Sequence, residues 1–162
     1  MASKMPTADE TAAERTSPRY EPWLGAIIAG LAGGVAMGIF LLVLSPDALT
    51  TVIPALYGLQ GAVAGWVVHL FNSVVLGLVF AALVSLTSLR KYAESVRGTI
   101  GLGAVYGVVL WVVTGSIILP LWLQAVGVPA APPVPTFAFP SLVWHLAYGI
   151  VLGAVYPYVV SL

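Results

Sequence analysis

Four long apolar stretches dominate the chain, at about residues 23–44, 62–86, 98–123 and 141–162. They are nearly free of charge, and each reaches the roughly 20 residues a helix needs to cross a hydrocarbon core about 30 Å thick. Shorter polar or proline-containing segments separate them. The pattern predicts an all-α fold: an integral membrane four-helix bundle spanning residues 23–162. Residues 1–22 are polar and mixed in charge, with Pro6, Pro18 and Pro22 and little to bury. That composition predicts a disordered cytoplasmic tail. The first apolar run starts late, is a full span long and lacks a clear small-residue cleavage site. It reads as an uncleaved first helix rather than a signal peptide.

The second and fourth stretches share a segment. Residues 65–77, GWVVHLFNSVVLG, return 76 residues later as SLVWHLAYGIVLG at 141–153. His69 and His145 are the two histidines of the protein and hold the same place in both copies. Each has small residues four before it, four after it and eight after it, which share one helix face. The first and third stretches also correspond, at an offset of 73: Gly25, Gly30 and Gly34 match Gly98, Gly103 and Gly107. Glycines so spaced on a membrane helix allow close backbone approach. The bundle is therefore expected to be two tandem, parallel-topology helix-hairpin repeats, about 23–87 and about 98–162. A pseudo-two-fold axis along the membrane normal would relate them, with the glycine stripes packed on the histidine helices.

Composition and charge sharpen this. The chain is 60% apolar and 7% charged, far below the roughly 25% charged residues of soluble domains. Cysteine is absent, which excludes disulfides, thiolate metal sites and S-lipidation. All six Lys and Arg (Lys4, Arg15, Arg19, Arg90, Lys91, Arg97) precede the first span or lie between the second and third. The positive-inside rule then places both termini in the cytoplasm of a cell-membrane protein, with loops 45–61 and 124–140 outside. The Arg90, Lys91 and Arg97 cluster is a membrane boundary and too small for a nucleic-acid site.

The connections and aromatic residues fit the same frame. Loop 45–61 is apolar and suggests an interfacial helix or a re-entrant turn broken at Pro54. The run Val128–Pro135 predicts a stiff extended strap over the outer face. Pro120 is expected to bend or end the third helix. Trp66, Trp122, Trp144 and Tyr57 fall near the outer interface, Trp111 and Tyr106 deeper.

An ionisable residue inside a span is a functional candidate. On these spacings His69 and His145 both sit in the outer half of the membrane, with Asn72 and Tyr148 three residues further on. Three readings follow. A bis-histidine haem b would take His69 and His145 as axial ligands, with Ser73, Gly77, Gly149 and Gly153 leaving room for the macrocycle, and the protein would carry electrons. A proton- or pH-linked small transporter or channel component would use the histidines as titrating groups. A structural or accessory role would have them hydrogen-bond each other, a carbonyl, Asn72 or Tyr148 and hold the bundle in register. This third, non-enzymatic reading asks least of the sequence. Two histidines without Asp, Glu or Cys nearby do not complete a zinc site, and no Ser-His-acid set exists. The lipid bilayer is the expected partner, with a homo-oligomer or a larger membrane complex compatible.

The segment 140–152, with its His-Leu-x-Tyr-Gly core, resembles the last helix of the small multi-span proteins of the YagU-like family and related uncharacterised families. Those proteins carry Gly-rich spans, a Pro-containing outer loop and a histidine near the start of a helix. The resemblance covers mainly residues 98–158. It implies the architecture and assigns no catalytic residue.

Overall fold

Residues 22–93 and 95–160 are described by the computed structural model. Their regular elements are helical, and four are long and apolar enough to cross a membrane. These are α1 (Pro22–Leu44), α2 (Ala62–Leu86), α3 (Val96–Ala125) and α4 (Ser141–Val159). The chain is a multi-pass, all-helical membrane protein. The expected tail, residues 1–22, lies outside the described residues apart from Pro22, which opens α1.

The outward faces are those of a lipid-exposed bundle. On α2, Val63, Val67, Phe71, Val75, Val79 and Leu83 recur every fourth residue and are all exposed. In water such a stripe would be a liability. Against hydrocarbon chains it has no desolvation cost.

Backbone contact at small residues sets the packing. Between α1 and α2, a Cβ at Gly30 would lie 2.8 Å from the Ser73 carbonyl oxygen, and one at Gly77 2.7 Å from that of Ala26. Gly34 faces Ser73, and Gly38 takes the Trp66 ring. Between α3 and α4, Gly103 and Gly149 abut each other's carbonyls, Gly153 abuts that of Thr99, and Gly107 abuts that of His145. Positions 30 and 77 thus pack as positions 103 and 153 do. No side chain larger than hydrogen fits these sites without separating the helices.

The hairpins meet through α1 and α4. Gly33 lies against the Tyr148 carbonyl and ring, and Gly25 against Val159 and Val160. α1 therefore uses one glycine face for α2 and a second for α4. No comparable backbone contact joins α2 to α3. A strict two-fold would require α2–α3 to pack as α1–α4 do, so the contact pattern departs from the expected symmetry. Aromatic side chains bridge the separation in the half of the bundle nearer the chain termini. Phe80 packs on Tyr106 and Tyr156 with ring centroids 5.3 and 5.4 Å apart. The Tyr106 hydroxyl donates to the Leu76 carbonyl at 2.8 Å.

Local chemistry explains the helix ends. Gly61, at φ 90°, takes a conformation that L side chains rarely adopt and starts α2. Ser95 caps α3 by accepting from Gly98 N–H at 3.1 Å. In the first connection, a π turn (Ala48–Val52) runs into a short helical turn (Ile53–Ala55). Pro54 sits in the first turn of that piece, where its missing N–H costs nothing, so it initiates rather than breaks. Leu49 is fully buried, with its carbonyl against Gly65.

α3 holds the largest departure from regular geometry. Pro120 neither ends it nor breaks it; the helix continues to Ala125, but Trp111–Ile118 is wound as π-helix. Pro120 has no N–H to offer the Ser116 carbonyl four residues back. Thr136 N–H of the second connection bonds that carbonyl instead, at 2.9 Å. The Trp111 side chain reaches the start of α4. Its Nε1–H donates to Ser141 Oγ (3.0 Å) and the Ala138 carbonyl (3.2 Å), level with the first turn of α4.

The glycine contacts generate the first prediction. Gly103→Leu forces α3 off α4 and should cost about 1–3 kcal/mol or more, as overpacking does. Gly101, which has open space at its Cβ position, should tolerate Ala without loss. Reversible denaturation in micelles compares the two; equal effects would contradict the interlock.

Candidate functional site

In the half of the bundle towards the two long connections, the space between α2 and α3 stays open. It forms a cavity of about 480 Å³. α1 contributes Met37 and Leu41 to the wall, and the first connection contributes Ile53 and Leu56. α2 supplies His69, Asn72 and Ser73; α3 supplies Thr114, Gly115 and Trp122; α4 supplies Ser141, Trp144, His145 and Tyr148. Both histidines are buried, at 5% and 8% exposure, and both line this one cavity.

Each histidine is held by a main-chain carbonyl. His69 Nε2 lies 2.9 Å from the Gly34 carbonyl oxygen on α1, and its ring stands edge-on to Trp66. His145 Nδ1 lies 2.7 Å from the Ser141 carbonyl oxygen on its own helix. A carbonyl only accepts, so the nitrogen facing it carries the hydrogen. The rings therefore hold opposite tautomers: Nε2–H in His69, Nδ1–H in His145. Opposite nitrogens are left without a hydrogen-bond partner among the described residues. The two histidines do not bond each other.

Asn72 and Tyr148 do not form a matched pair. Asn72 Oδ1 accepts from the Tyr57 hydroxyl at 2.8 Å, and Tyr57 packs on Trp122 with centroids 5.3 Å apart. That chain runs from α2 through the first connection to the end of α3. Tyr148 is fully buried, and its hydroxyl donates to the Ser73 carbonyl at 2.7 Å. It joins α4 to α2 directly. Of the two histidines, His69 ties two helices; His145 ties none.

The π segment of α3 shapes the opposite wall. Gly115 leaves room for the His145 ring, since a Cβ there would sit 3.3 Å from Nε2. The proline run forms part of the roof: Pro132, Thr136 and Ala138 line the cavity, and Gln124 Nε2 donates to the Pro132 carbonyl at 2.7 Å. Thr114, Gly115, Trp122 and Tyr57 carry no mark in the histidine repeat. A sequence signal does exist in the polar triplet Thr114-Gly115-Ser116, set in an apolar run four residues before Pro120.

These residues do not fit a bis-histidine haem. Gly77, Gly149 and Gly153 are filled by neighbouring backbone and leave no slot for a macrocycle. The hydroxyl of Ser73 is committed to the His69 carbonyl at 2.7 Å. His69 Nε2 is engaged by Gly34, and no lining residue is cationic to meet propionates. No group of three or more His, Cys, Asp or Glu able to hold a metal ion occurs among the described residues.

Comparison with protein-family models, with curated proteins and with solved structures finds no match to this chain.

Tyr148 gives a graded test of the site's framework. Tyr148→Phe loses one intramembrane hydrogen bond and should cost about 0.6 kcal/mol. Tyr148→Ala also empties a fully buried position and should cost about 3–5 kcal/mol. Equal costs in micelle unfolding would contradict the assignment of packing as its main role.

Proposed function

We propose that this is a non-enzymatic, accessory membrane protein that holds an apolar small molecule between α2 and α3, with His69 and His145 as the polar contacts of the site. The observation that carries the reading is the 480 Å³ cavity, apolar over most of its lining, with both histidines in its wall. Ligand sites of small molecules fall in this size range and combine an apolar lining with a few placed polar groups.

The wider frame of the proposal follows the sequence. Residues 23–87 and 98–162 are read as two tandem, parallel-topology hairpins, supported by the matching glycine contacts at offsets of 73 and 76. The distribution of Lys and Arg supports cytoplasmic termini in a cell membrane, which puts the cavity in the outer half. Exposed apolar helix faces are compatible with a second copy or a larger membrane complex. Kinship with the YagU-like proteins is part of this proposal and rests on the segment 140–152.

The test uses the full chain in lipid nanodiscs with n-pentylbenzene as probe. Binding to the folded state raises the unfolding temperature in a concentration-dependent way. Wild type should be stabilised, and Thr114→Phe, which fills the cavity from α3, should not respond. Equal responses of the two proteins, or none in either, would overturn the reading.

A further inference from the structure

The hydrogen-bonding state of the cavity wall narrows what it can hold. Seven side chains that line it, Thr136 on the Pro133 carbonyl among them, have already committed a proton to a main-chain carbonyl. His69 donates to Gly34 and His145 to Ser141. Ser73 donates to His69 (2.7 Å), Thr114 to Leu110 (2.6 Å), Ser141 to Ala138 (2.6 Å) and Tyr148 to Ser73 (2.7 Å). What these groups still offer is lone pairs.

The histidines make the point most sharply. No lining residue is a carboxylate that would pair an imidazolium. Each ring is therefore neutral and carries one hydrogen, which the carbonyl takes. His69 Nδ1 and His145 Nε2 are acceptors. Both rings line the cavity, and the Nε2 edge of His145 faces Gly115 in its α3 wall. Donors do remain on Asn72 and on the indoles of Trp122 and Trp144. Asn72 and Trp122 are engaged with Tyr57, and Trp144 packs with Leu41 and Leu49 beside α1.

We infer that the cavity selects an apolar molecule bearing a hydroxyl donor, a phenol or alcohol on a hydrocarbon body, whose O–H is bonded by His69 Nδ1 or His145 Nε2. This deepens the ligand-binding reading above and rests on it. A ketone, quinone or ether of the same shape has no proton for these nitrogens. It forgoes the bond to the imidazoles, whose lone pairs stay unpaired. Discrimination by a missing donor is of this kind.

The experiment compares 4-pentylphenol with its methyl ether, 4-pentylanisole, on the full chain in nanodiscs, at matched concentrations in the bilayer. Unfolding-temperature shifts measure binding, and the imidazole ¹⁵N shifts of isotopically labelled histidine report the contact. The phenol should bind about three- to tenfold more tightly, the worth of one net hydrogen bond. It should also move the ¹⁵N resonance of His69 Nδ1 or His145 Nε2, and the ether should move neither. His69→Phe and His145→Phe together should erase the preference; should that variant not fold, the ¹⁵N shifts in wild type decide alone. Equal binding of the two probes would overturn the donor rule while leaving the cavity as a ligand site. A phenol preference without a histidine shift would overturn the assignment to the imidazoles. Binding of neither probe would overturn the ligand-binding reading itself, and the donor rule with it.

Discussion

The contact on which this architecture depends is backbone against backbone at small residues. Gly30 and Gly77 on one side, and Gly103, Gly149 and Gly153 on the other, bring two helix pairs closer than side chains would permit. Apolar association does not drive helices together in lipid, because hydrocarbon tails solvate Leu and Val as well as a partner helix does. Dispersion and shape fit must supply the attraction, and both fall off steeply with separation. Small residues at the crossings are thus the condition for stable pairs. Once α1 is committed to α2 and α4 is committed to α3, the pairs must still meet. They do so through Gly33 and Tyr148 and through Gly25 and Val160. That choice leaves α2 and α3 as the two helices held apart.

The cavity is the consequence of that separation together with the geometry of α3. Towards the termini, Phe80, Tyr106 and Tyr156 are large enough to fill the gap. Towards the long connections the facing residues are Ser73, Thr114 and Gly115, and the gap is not filled. Pro120 removes a helical donor, the preceding turns widen to a π-helix, and the strap repairs the freed Ser116 carbonyl through Thr136. π segments within α-helices often mark functional positions. Here the widened turn faces His145 across Gly115.

Much of this was legible in the sequence. Run length alone located four helices, because a bilayer imposes a length and an apolar composition that few other environments demand. Of the glycine matches, Gly30 with Gly103 marked an interlock, whereas Gly25 packs on Val159 and Val160 and Gly98 on Tyr92. What stayed hidden depends on relations between elements. The histidine repeat suggests equivalent roles, yet His69 reaches Gly34 on α1 while His145 turns to Ser141 on its own helix. Nothing in the two matching segments encodes that difference, because it follows from the unequal neighbours α1 and the π segment of α3. Asn72 and Tyr148 likewise occupy matching positions and do unrelated work. Pro120 was legible as a perturbation, but its outcome depended on a donor sixteen residues further on, at Thr136.

The account stands on each histidine giving its N–H to a main-chain carbonyl and its lone pair to the cavity. The most direct measurement is the side-chain ¹⁵N spectrum of the ligand-free protein, labelled at histidine, in nanodiscs near neutral pH. Two neutral rings in opposite tautomers, hydrogen on Nε2 in His69 and on Nδ1 in His145, are the expected result. The same tautomer in both, or a doubly protonated ring in either, would contradict it and remove the acceptor wall on which the site's chemistry is built.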